Sequence, residues 1–334
     1  MKILKGNDYR ILEKLVGLKQ NATKKAASSY LKKVYSEVIE TKDYIFAEGD
    51  IPIALVAHLD TVFEKDKVHK RDKLFYDIEK GIMWNPYGAG FDDKAGVFAI
   101  LKIIQKGYRP HIIFTTDEEL GGIGAMALTD KYENCPFKEL KYVIELDRAN
   151  EVDCVFYDCY NPKFIEYIES FGFIEAWGTF SDIDVICEDW GVAGVNLSIG
   201  YKDEHTCSET LNVNAMFKTI EKIEHMLQDV KNVEQFKYIR APHYNYYYNY
   251  YGYYEEPHLI TCDKCGQTFY NYETTPVKRL NGETEHFCVD CLVDMNVEWC
   301  KICDEAFERQ PHSKEKYCND CKERSWTSEK LKRK

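Results

Sequence analysis

The sequence predicts an α/β fold, a mostly parallel sheet flanked by helices, followed by a small metal-bound, ribbon-like region. Two patterns predict it. Over the first 240 residues four short, near-continuously apolar runs alternate with amphipathic helical runs, and beyond residue 260 eight of the thirteen cysteines stand in four Cys-x-x-Cys pairs. A chain of 334 residues has the length of about two domains at ~100–200 residues each.

Taken in order, residues 8–19 carry apolar groups at helical spacing (Tyr9, Ile11, Leu12, Leu15, Val16, Leu18), and 24–39 continue the same period. Residues 53–57, 111–115, 142–146 and 193–199 are near-continuously apolar. Such runs fit strands covered on both faces, which is how parallel sheets read. Residues 94–106, 162–171 and 212–230 read as helices, so strand and helix alternate and right-handed crossovers are expected. Residues 244–254 hold eight tyrosines in eleven positions with neither a strand nor a helix period, which marks a low-complexity connector. The expected organisation is a catalytic domain over 1–240, a Tyr-rich linker over 241–257 and a zinc-binding region over 258–334.

Charge and cysteine usage narrow the classes. A formal charge of -12 and a pI near 5.4 argue against a chain built mainly to bind nucleic acid phosphates or anionic membrane. The N-terminal residues meet charge before any apolar stretch forms, and no run of eighteen apolar residues occurs, so neither a secretory signal nor a membrane span is expected. The cysteines therefore read as thiols or metal ligands in a reducing, cytoplasmic setting rather than as a disulfide framework.

Each apolar run is followed at once by a side chain able to bind metal: His58 and Asp60, then Glu118 and Glu119, then Asp147, then His205. Ligands collect outside the carboxyl ends of strands in open α/β sheets. The loop Gly88–Lys94 adds Asp92 at the start of a helix. Two imidazoles and several carboxylates without a thiolate suit Zn, Co or Mn in an open site.

The series His58-Leu-Asp60-Thr61, Gly90-Phe-Asp92-Asp93-Lys94-Ala-Gly96, Asp117-Glu118-Glu119-Leu-Gly121, Glu145-Leu-Asp147 and His205-Thr-Cys-Ser-Glu209 resembles the co-catalytic dizinc exopeptidases. That superfamily holds bacterial leucyl and glutamyl aminopeptidases, peptidase T and carboxypeptidase G, and the resemblance spans residues 8–230. It implies a zinc aminopeptidase-like sheet in which His58 binds one ion, His205 the other, and Asp92 bridges them, often through a cis peptide to Asp93. Glu119 and Asp147 would complete the two coordination spheres. Glu118 would act as general base and Asp60 would fix the His58 tautomer. The chemistry is coherent: a water between two divalent cations ionises near neutral pH, and the same ions polarise a substrate carbonyl. The gaps from 58 to 92 and from 147 to 205 are too short for the inserted lid or dimerisation domain of the larger branches. The likeness is therefore to the compact single-domain aminopeptidases.

In the tail, Cys262/Cys265, Cys288/Cys291, Cys300/Cys303 and Cys318/Cys321 form four knuckles. Two knuckles close one tetrahedral thiolate site, so two structural zincs are expected in a zinc-ribbon-like region. Sequential and cross-braced pairing both satisfy the spacing.

The expected function is metal-dependent hydrolysis of an amide bond, foremost removal of an N-terminal residue from a peptide by a two-metal-bound hydroxide with Glu118 as base. An N-acyl amino acid deacylase uses the same machinery. In a different class, the zinc tail would bind nucleic acid or protein with the hydrolase domain as its scaffold.

Overall fold

The computed structural model describes residues 4, 6–65, 73–240, 258–303 and 305–322. The Tyr-rich stretch 241–257 and the basic terminus Lys330–Lys334 lie outside them. The chain separates into two compact units, Met1–Cys159 with Lys163–Tyr238, and Tyr160–Pro162 with Ile239–Lys334.

The first unit runs α1 (Gly6–Val16), α2 (Gln20–Val34), β1 (Glu37–Glu40), β2 (Tyr44–Glu48), β3 (Ile51–His58), β4 (Phe75–Asp77), β5 (Ile82–Trp84) and α3 (Phe91–Gln105). It continues through β6 (Pro110–Thr115), α4 (Ile123–Lys131), β7 (Tyr142–Arg148), β8 (Asp153–Val155), α5 (Pro162–Glu169), β9 (Ile174–Glu175) and α6 (Asp182–Trp190). The last elements are β10 (Gly194–Ser198), β11 (Tyr201–Lys202), β12 (Thr210–Asn212) and α7 (Val213–Asp229).

Eight strands form one sheet in the order β1-β2-β6-β3-β7-β10-β8-β9. Its centre, β6-β3-β7-β10, is parallel, while β1, β2 and β8 pair antiparallel with their inner neighbours. The four apolar runs of the sequence are these central strands. Every residue of β6 and β10 is buried, the pattern of strands covered on both faces.

Helix α3 is buried along almost its whole length, which accounts for its lack of a polar stripe. Helix α7 instead buries Val213, Met216, Ile220, Ile223 and Leu227 at helical spacing, and the Asn212 side chain caps it by accepting from the Asn214 and Ala215 amides.

One element differs from expectation. The helix read over 24–39 ends at Val34, and Glu37–Glu40 forms β1 against β2, with Val38 opposite Ala47 and Ile39 opposite Phe46. The β-branched pair Val38-Ile39 favours a pleated strand over a further helical turn. A second, four-stranded sheet, β11-β12-β5-β4, holds the connection that carries His205. Between Asp147 and His205 the chain builds only elements of these two sheets and their helices, with no inserted domain.

The second unit contains β13 (Leu259–Thr261) paired with β14 (Thr268–Tyr270), then β15 (Thr274–Lys278), β16 (Thr284–Cys288), the short α8 (Val289–Leu292), β17 (Val297–Trp299) and β18 (Ala306–Glu308). The last four strands form a sheet in the order β16-β15-β18-β17. Its apolar core is small, with Ile239, Val277, Phe287, Leu292 and Ala306 at its centre. Among the described residues no helix is long and apolar enough to cross a membrane.

Candidate metal centres

The larger cluster forms where the central strands end. His58, the last residue of β3, is buried, and its amide donates to Asp93 Oδ2 at 3.1 Å. Its Nε2 lies 2.9 Å from Asp92 Oδ1 and 3.4 Å from Asp147 Oδ1. His205, in the loop between β11 and β12, adopts a left-handed backbone (φ 63°). Its Nε2 lies 3.0 Å from the other Asp92 oxygen, Oδ2, and 3.1 Å from Glu119 Oε2. Asp92 thus stands between two imidazoles, each facing one further carboxylate.

The backbone around Asp92 is held from several sides. The Asp92–Asp93 peptide is cis. Glu209, fully buried, accepts from the amides of Ala89 (3.1 Å), Gly90 and Asp92 (3.0 Å). Asp93 Oδ1 accepts from the Gly96 amide at 2.9 Å. A Cβ at Gly96 would lie 2.3 Å from both Asp93 Oδ1 and Leu146 O, so only glycine fits there. The buried Lys94 ammonium donates to Leu59 O, tying the start of α3 to the segment after β3.

Asp60 does more than face His58. Its Oδ1 lies 3.3 Å from His58 Nδ1, and its two oxygens accept from the amides of Glu118 and Glu119, both at 3.1 Å. One carboxylate therefore positions the β3 and β6 ends together. Asp147 is held in turn by the Tyr201 hydroxyl (3.0 Å to Oδ1) and the Ser181 hydroxyl (3.3 Å to Oδ2), while its amide donates to Asn196 Oδ1 at 2.9 Å.

The electrostatics follow from so many acids in one buried place. Burial disfavours charge on His58, but Asp147, Asp60 and Asp92 around it outweigh that cost and hold its proton well above the usual imidazole range. Burial likewise works against the Asp92 anion, yet hydrogen bonds from His205 and His58 hold its carboxyl below the usual range. His205 rises to about 11 through its contacts with Asp92 and Glu119. Burial, then the nearby Asp92, lifts Asp147 to about 7. Burial also lifts Glu118 to about 9; His58 opposes that rise, and Asp147, Asp182 and Asp92 add to it. A cation bound here would compete with protons for these groups.

A divalent pair fits this donor set. Ligand atoms of His58, Asp92 and Glu119 lie within 4.8 Å of one another, as do those of His58, Asp93 and Asp147. The Asp93 oxygens already serve the His58 and Gly96 amides, which leaves Asp92 as the carboxylate open to both imidazoles. Glu119 Oε1 is buried without a hydrogen-bond partner, the condition of an acceptor that awaits a cation.

Comparison with solved structures gives the fold at once. The chain superposes on aminopeptidase PepT from Bacillus cereus with a TM-score of 0.51 at 16% identity, covering 67% of this chain and 99% of that one. A tripeptidase from Staphylococcus aureus gives 0.54 at 14% identity, over 68% and 99%. A TET aminopeptidase from a marine-sediment Thaumarchaeota archaeon gives 0.52 at 13%, over 67% and 99%. The chain has the aminopeptidase fold. Neither protein-family models nor curated proteins gave a match.

The second unit holds two further clusters, Cys262/Cys265/Cys288/Cys291 and Cys300/Cys303/Cys318/Cys321. Pairing is sequential rather than cross-braced. Cys265 and Cys288 sulfurs are 3.9 Å apart, and those of Cys303 and Cys318 are 3.7 Å apart. Four sulfurs around one zinc at ~2.3 Å stand about 3.8 Å from each other. Burial raises the Cys262 thiol, but amides of Cys265, Cys288 and Lys264 outweigh it and bring the group down to about 6. Cys300 reaches about 6 in the same way, with amides of Cys303, Cys318 and Ile302. All thirteen cysteines are free of disulfides.

Several supporting residues carried no role in the sequence reading. Glu209 stood within a quoted motif, so its place near His205 was visible while its three amide contacts were not. Tyr201, Ser181 and Asn196 leave no spacing signal, because each reaches Asp147 only through the packing of β7, β10 and the loop before α6.

Proposed function

We propose that the first unit is a metal-dependent aminopeptidase that removes an N-terminal residue from a peptide. One observation carries the reading: the two oxygens of Asp92 each face a different histidine, and each histidine faces a second acid, Asp147 or Glu119. That is a donor set for two divalent ions sharing one carboxylate, most simply zinc, with cobalt or manganese also suited. The aminopeptidase fold of the solved neighbours supports the same reading.

In this reading His58, Asp92 and Asp147 would hold one cation, and His205, Asp92 and Glu119 would hold the other. When bound, such a pair polarises a substrate carbonyl and makes a nearby water acidic. Glu118 takes the proton of that water at its carboxylate and delivers it to the leaving amine. Its carboxyl, lifted to about 9 in the polypeptide alone, is brought toward the working range by adjacent positive charge. Asp60 orients His58 and holds the turn on which Glu118 and Glu119 sit, so binding and proton transfer keep one geometry. In the second unit, each set of four thiols would hold a structural zinc.

Hydrolysis of aminoacyl anilides tests the proposal. Chelation should abolish turnover, and added zinc, cobalt or manganese should restore it. If the chelated protein turns over substrate as fast, or if no cation supports cleavage of any aminoacyl substrate, the assignment is wrong.

A further inference from the structure

A cavity of about 420 Å³ opens on the first unit, lined by Phe156, Tyr157, Asp158, Glu175, Trp177 and Asp184 among others. Its size is that of a small-molecule or side-chain site. Among the described residues that line it are three acids and three aromatic residues, and no lysine, arginine or histidine. Trp177 is 79% exposed.

Two of its walls lead to the candidate centre. The first is the segment 176–181. A Cβ at Gly178 would lie 2.8 Å from Val155 Cγ1 and 3.2 Å from the Tyr157 ring, so the segment can lie against that ring only as glycine. Next along it, Thr179 lines the cavity, and Ser181 bonds to Asp147. Ser181 follows Trp177 by four positions, at most ~14 Å of chain. The second wall is Tyr157, whose hydroxyl accepts from Asn196 Nδ2 at 3.0 Å, and Asn196 binds the Asp147 amide. The cavity therefore shares Tyr157 and the segment 176–181 with the surroundings of Asp147.

We propose that the cavity is a subsite for a basic side chain, the ammonium of lysine or the guanidinium of arginine, in a peptide bound across the centre. Aromatic faces attract a cation through their quadrupoles, and carboxylates around them add charge-assisted hydrogen bonds. An acidic side chain would meet like charge, and an aliphatic one would make no charge-assisted contact with the acids. The inference rests on the aminopeptidase reading and gives it a substrate class.

Substrates with Lys, Arg, Leu or Glu in the first or second position are compared on the cation-loaded full chain, with the Asp158→Asn/Glu175→Gln double variant and Trp177→Ala alongside. Binding of lysinamide, argininamide and leucinamide is measured in parallel by calorimetry. Basic substrates should exceed leucyl ones by roughly tenfold or more in kcat/KM. Both variants should erase most of that preference while leaving leucyl turnover unchanged, and lysinamide should bind more tightly than leucinamide to the unaltered chain alone. A flat preference, or one that survives both variants, overturns the subsite. If no substrate is cleaved, the aminopeptidase reading fails and binding alone decides: equal affinity for lysinamide and leucinamide overturns the subsite, and tighter lysinamide binding lost in the variants upholds it.

Discussion

Asp60 carries more of the site than its distance from the reacting atoms suggests. Facing His58 Nδ1 and accepting from two amides of the Glu118–Glu119 turn, it couples a proposed metal ligand to the proposed base. Asp60→Asn keeps the shape, loses the charge and replaces one acceptor with a donor. Cation affinity should fall by roughly 10–100-fold, measured by competition with a fluorescent chelator. Glu118→Gln separates proton transfer from binding: turnover should fall by ~10²–10⁴-fold with bound cation unchanged, and loss of the cation in that variant would remove Glu118 from the role of base. At this scale the sequence disclosed the residues that end strands, because a metal-binding type directly after an apolar run is visible along the chain. It left Tyr201, Ser181 and Asn196 unseen, since their hydroxyl and amide contacts with Asp147 depend on tertiary packing and follow no period.

Among the elements, the start of α3 is the tightest join. With the Asp93 carboxylate and Leu146 carbonyl against Gly96, the Gly96→Ala protein must shift a strand or a helix. A loss of about 1–3 kcal/mol is expected from overpacking, read by denaturant unfolding. Strand β6 supplies a pH-dependent term. His111 is buried, its Nδ1 accepts from the Gly49 amide at 3.1 Å, its ring stacks on Phe137, and burial lowers it to about 4. The unfolded imidazole titrates near 6.5, so below that pH the unfolded chain takes up a proton that the folded one refuses. The contribution is complete above pH 6.5 and is lost as pH falls toward 4, by roughly 3 kcal/mol at most. Unfolding of the parent and of His111→Gln, compared across that range, should show their stability difference shrinking on acidification; a constant difference would contradict it. The central strands were legible because two covered faces make them continuously apolar. β1, β2, β4 and β5 were not, being three to five residues long and lying at the sheet margin or in the small sheet, and the Val38-Ile39 pair resembled the end of a helical stripe.

Across the whole molecule, the two units draw stability from different sources. The first buries a continuous core spread over α1 to α7 and the large sheet, whereas the second has a handful of buried apolar residues beside its thiol clusters. Chelation should therefore leave the secondary structure of the first unit in place while opening the second to proteolysis within residues 258–322, as peptide mapping of digests would report. The division was visible in the change from apolar alternation to paired cysteines, but the spacing left sequential and cross-braced pairing equally open; only the approach of the β13–β14 turn to the end of β16 decides it. The central claim is that Asp92 joins two cations, and anomalous scattering from zinc-loaded crystals tests it most directly. The expected map has one peak in each thiol cluster and two more flanking the Asp92 carboxylate, toward His58 and toward His205; peaks at the cysteines with none beside Asp92 would contradict the account.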